Sequence, residues 1–257
     1  MLFLIDAFTD KPFRGNPSGV FTVEDFPNSL EMQKFARYYS FPNFAFLKKV
    51  SERSFEIRWF SPRDESPMCI HGTIAAAHVI FEQKLSIYDN LKISNGLKEF
   101  KIDRGINKIS ISLLIPEIRI SSDLLDLDLL LHAKTCQMLL EDDFCYIIIL
   151  EKSEDIFNLV PNFEKIKLLE KRAIIVTAPG SKKFDFYTRY FAPKIGVYED
   201  PFCGSANCKI AKFWAKTLNK KLLKVCQASA RSGVAELLVS NDFVTITGKT
   251  HTVCVYR

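Results

Sequence analysis

The chain has 257 residues, 47% hydrophobic and 25% charged, with 11 Pro and 10 Gly, a globular balance that excludes disordered, collagenous and coiled-coil chains. Its net charge of +5 arises from 35 Lys and Arg against 30 Asp and Glu, and the basic residues are dispersed, so no nucleic-acid partner is expected. No apolar run approaches the roughly 20 residues of a membrane helix, so no membrane role is expected either.

Residues 1–6 carry neither a basic lead nor a cleavage signal. The seven cysteines are odd in number and include no Cys-x-x-Cys pair, which predicts a reducing, cytoplasmic setting without structural zinc. Asn28 with Glu31 predicts a capped helix start, followed by the stripe Met32, Phe35, Ala36, Tyr39. Phe55, Ile57 and Trp59 alternate as in a half-buried strand. Residues 74–81 are apolar nearly all round, predicting an enclosed helix. Asn95-Gly96 predicts a hairpin turn between strands at 91–94 and 97–102. Outer helices are predicted over 121–132 and 163–171, with Ile148 and Ile174 in strands. Phe184, Phe186 and Tyr190 alternate again, and residues 206–218 carry Ile210, Phe213, Trp214 and Leu218 at helical spacing. Strands at 225–228 and 234–239 then flank Ser232-Gly233.

These elements form two copies of one pattern. Arg58-Trp59-Phe60-Ser61-Pro62, Glu65-Ser66-Pro67-Met68 and Gly72-Thr73 recur as Arg189-Tyr190-Phe191-Ala192-Pro193, Glu199-Asp200-Pro201-Phe202 and Gly204-Ser205. Matching order and flanks predict a duplicated α+β fold of two pseudo-symmetric lobes, residues 1–117 and 118–257. Each lobe is expected to wrap a strongly curved, mostly antiparallel sheet or barrel around a central helix, near 72–83 and 204–218. The last strand is free to return to the first lobe.

Each predicted central helix starts with Gly and a hydroxyl residue. Unsatisfied amides and the helix dipole favour a carboxylate or phosphate there. If the lobes face each other, Gly72-Thr73 and Gly204-Ser205 hold a small anionic substrate in one cleft. His71 precedes the first glycine; Cys203 precedes the second, with Asp200 just upstream. Groups on both sides of a substrate suit removing a proton at one position and returning it at another. His71 alone would read as a hydrogen-bonded core histidine, and Cys203 equally as a small buried hydrophobe or a helix-start thiolate. His78, His132 and Cys208 read as structural. Residues 247–250 imitate the end of a P-loop, but Phe243 stands where its first glycine belongs, and no G-x-G-x-x-G or G-x-S-x-G occurs.

Ile5-Asp6-Ala7-Phe8-Thr9 with Gly15-Asn16-Pro17, residues 65–73, residues 199–206 and the turn Gln227-Ala228-Ser229-Ala230-Arg231-Ser232-Gly233 together resemble the phenazine-biosynthesis isomerase-like family. The blocks span nearly the whole chain. The resemblance implies a diaminopimelate-epimerase-like fold and cofactor-independent isomerisation by proton transfer, in a homodimer. It adds Asn16 and Arg231 to Gly72, Thr73, Gly204 and Ser205 as substrate-binding candidates. Where the family carries its principal Glu acid/base, this chain has Asn43, which cannot titrate and is assigned to orienting the substrate. Ile70 replaces a glycine and would crowd the first anion site. In the related epimerases one of two catalytic thiols lies in a stretch like Cys203-Gly204-Ser205, and Ala75 is read as occupying the other thiol's position. The function expected is an isomerase or epimerase acting on a small carboxylate through His71, Asp200, Cys203 and Asn43, without metal or cofactor. The alternative is a binding protein that kept the cleft and lost its base.

Overall fold

The computed structural model describes residues 1–39, 41–133 and 136–256. By backbone contacts the chain forms two units, residues 1–113 with 245–257, and residues 114–244.

In the first unit the alternation of Phe55, Ile57 and Trp59 builds the strand Ser54–Phe60, which buries those three and turns Glu56 and Arg58 outward. From the C-terminal strand Thr250–Tyr256 the sheet runs to Leu2–Ala7 and Asn16–Val23, both pairings antiparallel. It continues in parallel to Phe44–Lys49, antiparallel to Ser54–Phe60 and parallel to Asn90–Ser94. Glu99–Gly105 and Lys108–Leu114 follow, antiparallel. Beyond them Ser110 bonds Thr247 and Ser112 bonds Thr245. The sheet curves round the helix Ile70–Glu82, in which Ile74, Val79, Ile80 and Phe81 are buried. Each contributes about 1.5–3 kcal/mol of burial, while Ala75, Ala76 and Ala77 let strands approach on the remaining sides.

The second unit repeats this pairing strand for strand. Met138–Glu141 is antiparallel to Cys145–Ile149, which is parallel to Ala173–Pro179. Ala173–Pro179 is antiparallel to Phe186–Phe191, Phe186–Phe191 parallel to Leu222–Gln227, and Leu222–Gln227 antiparallel to Gly233–Val239. The helix Gly204–Thr217 occupies the place of Ile70–Glu82, burying Ile210, Ala211 and Trp214. Trp214 stacks on Phe186 and donates its indole N–H to Thr177 at 2.9 Å.

Outside the repeats the local signals acted as read, or fell short for local reasons. Asn28 caps Ser29–Tyr39, its side chain accepting from the Glu31 amide at 2.9 Å. Asn95 accepts from the amides of Leu97 and Lys98, and Gly96 sits at φ 83°, so the hairpin loop is two residues longer than read. The outer helices are short: Leu127–Leu131 and Phe163–Lys167. Asp126 caps the first only at the Leu129 amide, and Ser121 bonds the Asp123 amide in a local turn instead. No helix among the described residues is long and apolar enough to cross a membrane.

Candidate active site

The chemistry-bearing residues gather at the starts of the two central helices, one set per unit. In the first unit the N-cap of Ile70–Glu82 is Cys69, whose side chain makes no capping bond. The carbonyl of Cys69 is held by the amide of Thr73 at 3.0 Å and by its hydroxyl at 2.7 Å. The buried Thr73 hydroxyl therefore shapes the helix start instead of facing a ligand. His71 hydrogen-bonds the Asn16 side-chain amide through Nδ1 at 3.1 Å, and Cys69 Sγ lies 3.6 Å from Nδ1 and 3.5 Å from Nε2. Asn43, 3% exposed, brings Oδ1 to 2.8 Å from the point a Cβ on Gly72 would occupy, and Cys69 Sγ and Trp59 Cδ1 come to 3.0 Å from the same point. Gly72 is thus required by close approach, and Ile70 is buried beside it.

Protein surrounds the His71 ring, although one edge remains partly exposed, and desolvation lowers its pKa to about 4. It is neutral at pH 7. In the unfolded chain an ordinary histidine takes up its proton near pH 6.5. Stability held above that value is therefore lost as the pH falls toward 4, where the native ring protonates as well. We expect loss of ~2 kcal/mol over this window, discounted for the exposed edge. In urea titrations at pH 7 and pH 4.5, His71→Asn should reduce the difference between the two midpoints; an unchanged difference would exclude His71 as its source.

In the second unit the N-cap of Gly204–Thr217 is Cys203, again without a side-chain cap. Its carbonyl is held by the Asn207 amide at 3.1 Å and by Asn207 Nδ2 at 2.9 Å, the counterpart of Thr73 on Cys69. Cys203 Sγ lies 3.4 Å from Ser205 Oγ, as Cys69 Sγ lies beside His71. Gln227, fully buried, ties the segment down: Oε1 accepts from the Cys203 amide at 2.9 Å and from Asn207 at 3.1 Å, and Nε2 donates to the Asp200 carbonyl at 2.6 Å. Asp200 Oδ1 accepts from the Phe202 amide at 3.0 Å. The turn that carries Arg231 closes over this loop, Ser229 donating to the Pro201 carbonyl at 2.7 Å. Burial, and next the Asp200 carboxylate, push the Cys203 thiol up to about 12 against the opposing pull of Ser205 and the Ala206 amide. The helix start therefore does not make a thiolate here at rest. Tyr190 is pushed up chiefly by burial.

Asn16, Asn43, His71, Gly72 and Thr73 thus share the first helix start, and Asp200, Cys203, Gly204 and Ser205 the second, with Arg231 on the turn above it. The N-caps correct the register of the repeat. Cys69 matches Cys203, so Ile70 matches Gly204, His71 matches Ser205 and Gly72 matches Ala206; the loop after Phe191 is lengthened by the turn Pro193–Ile195. Cys69, and not Ala75, is the counterpart of the Cys203 thiol. Sequence reasoning also passed over Trp59 and Gln227, although Gln227 opened a quoted motif.

The family pattern described as phenazine biosynthesis-like protein matches residues 5–255. A Pseudomonas aeruginosa protein named as an uncharacterized isomerase is 33% identical over 95% of this chain and 92% of its own length. The crystal structure of a PhzF-family phenazine biosynthesis protein from Enterococcus faecalis superposes with a TM-score of 0.93 at 27% identity, covering 98% of this chain and 96% of that one. A hydroxyproline epimerase from Agrobacterium vitis shares the fold at a TM-score of 0.64 and 9% identity, covering 98% and 90%. This chain is an enzyme of the isomerase type with the diaminopimelate-epimerase-like fold. A match along almost its whole length, with relatives above 30% identity, places the chain in the phenazine biosynthesis-like family.

Proposed function

We propose that this isomerase-type enzyme moves a proton on a small carboxylate substrate without a cofactor, using the groups at its helix starts. The observation that carries the reading is the repeated helix start: an N-cap cysteine without a side-chain cap, its sulfur beside the polar side chain two positions on, His71 in one unit and Ser205 in the other. First-turn amides and the dipole would take the carboxylate. The Asp200 carboxylate serves as base, the Cys203 thiol stays protonated and can return a proton, and the Asn43 carboxamide orients the substrate. The alternative of a base-less binding protein gains no support from the comparisons.

The experiment is solvent deuterium incorporation, followed by proton NMR, over the proteinogenic amino acids and a set of 2- and 3-hydroxy acids. The wild-type protein should exchange one carbon-bound hydrogen in at least one compound. Asp200→Asn should slow that exchange by about 10²–10⁴-fold, the range of a positioned acid/base. Tight binding without exchange of any compound would sink the reading.

A further inference from the structure

The second unit holds a cluster of reactive side chains that the helix-start chemistry does not employ. Asp142 closes the turn between the strands Met138–Glu141 and Cys145–Ile149, its Oδ1 accepting from the amides of Phe144 at 2.8 Å and Cys145 at 2.7 Å. Its Oδ2 accepts from the ammonium of Lys209, on the second turn of the helix Gly204–Thr217. The same ammonium lies 3.5 Å from Cys145 Sγ. The Phe144 ring faces two cations, the Arg172 guanidinium at 4.5 Å and Lys209 Nζ at 5.6 Å, which seats the lysine over the turn. An ion pair that served packing alone would need only the carboxylate and the ammonium. Here the ammonium also reaches a thiol, so an amine, an oxidisable sulfur and a proton acceptor share one hydrogen-bonded set. The side chains of Lys209 and Asp142 keep 14% and 6% exposure, which leaves an approach along the lysine for an oxidant barely larger than water.

We propose that Cys145 and Lys209 form a reversible sulfur–nitrogen cross-link when the protein meets hydrogen peroxide. The sulfur electron pair takes one peroxide oxygen as O–H, the O–O bond breaks, and the other oxygen leaves with the thiol proton as water. Sulfur is thereby oxidised to the sulfenic acid and the peroxide reduced. Lys209 passes one ammonium proton to Asp142, and the freed nitrogen lone pair attacks the sulfur. The S–N bond forms as the S–O bond breaks, and the leaving hydroxide takes a second nitrogen proton as water. A dithiol reverses the link: one thiol attacks the sulfur, the nitrogen leaves as the amine, and the second thiol closes a disulfide in the reductant, which frees Cys145. Burial, and after it the Asp142 carboxylate, push the Cys145 thiol up, against the opposing pull of Lys209 and Arg172. Oxidation is therefore slow at pH 7 and speeds up as the pH rises. The link ties the strand Cys145–Ile149 to the helix Gly204–Thr217 and removes the positive charge from Asp142. It does not depend on the isomerase reading.

The test treats the full-length, folded protein with hydrogen peroxide at pH 7 and pH 9, blocks remaining thiols with iodoacetamide, digests it and reads the peptides by mass spectrometry. Wild type should give a pair of peptides joined through Cys145 and Lys209, two hydrogens lighter than their sum, and dithiothreitol should release them. Lys209→Arg keeps a cation on Asp142 but offers no amine, so the link should vanish and Cys145 should run on to the sulfinic acid. Asp142→Asn keeps an acceptor for the two amides and loses the proton acceptor; with circular dichroism unchanged, it should slow linkage at least about tenfold. Oxidised wild type should unfold at a higher urea concentration than the reduced protein, because the tie restricts the unfolded chain. Recovery of wild-type Cys145 as free thiol or as sulfinic acid at both pH values, with no peptide joined to it through Lys209, would overturn the proposal. So would a link to Cys145 that forms as readily in Lys209→Arg.

Discussion

Arg189→Met should destabilise the protein by roughly 3 kcal/mol or more, whereas Arg58→Met, the same change in the other copy of the motif, should cost about 1 kcal/mol. Both arginines clamp a glutamate with two bonds: Arg189 holds Glu199 at 2.7 and 3.0 Å, Arg58 holds Glu65 at 2.7 and 2.6 Å. The environments differ. The Arg189–Glu199 side chains are 12% and 21% exposed, and Arg189 also donates to the carbonyls of Leu159 at 3.0 Å and Ile156 at 3.4 Å. Removing the guanidinium leaves a half-buried carboxylate and two carbonyls without their donor. The Arg58–Glu65 pair is 26% and 41% exposed, and water takes over most of what is lost. At about 2–4 °C per kcal/mol for a chain of this size, scanning calorimetry should separate the two variants by several degrees. Equal shifts would mean that burial of the second pair contributes nothing.

The second large effect is expected at Gln227. Its three hydrogen bonds fasten the Cys203 amide, the Asp200 carbonyl and Asn207, the anchor of the helix start, to the strand Leu222–Gln227. Gln227→Leu retains much of the volume but leaves those groups buried and unpaired, at about 1–3 kcal/mol each for the groups that water cannot reach. It also frees the loop that positions Asp200 and Cys203. A displacement of about 1 Å at a reacting group costs ~10²-fold, so turnover should fall by that order even at temperatures where the variant is folded. Gln227→Glu keeps the acceptor and loses the donor to Asp200. It should retain more activity at low pH, where a protonated carboxyl restores that donor, than at high pH. A flat pH difference between Gln227→Glu and wild type would show that the Asp200 tether does not matter.

What could be read from residue order alone was the pattern carried by local chemistry. The Arg-aromatic-Phe-small-Pro and Glu-x-Pro strings, the alternations ending at Trp59 and Tyr190, and the apolar stretch 74–81 each act over a few residues. They determined two strand–helix–hairpin copies and the family to which the chain belongs. The duplication holds in the strand pairing, parallel and antiparallel in the same succession in both units. Local chemistry did not determine the register between the copies. Gly72 and Gly204 looked equivalent because both precede a hydroxyl residue, but helix starts align by where the first carbonyl is gripped, at Cys69 and Cys203. Only the tertiary structure decided that, because it depends on how far the loop after each Pro must travel before the helix can dock. The same holds for Trp59, whose indole N–H lies unpartnered beside Asn43 and Gly72 because three distant segments converge there. Burial also decided the protonation of the site: a neutral His71 and a protonated Cys203 follow from desolvation, a property of the surrounding atoms that no motif in the chain specifies.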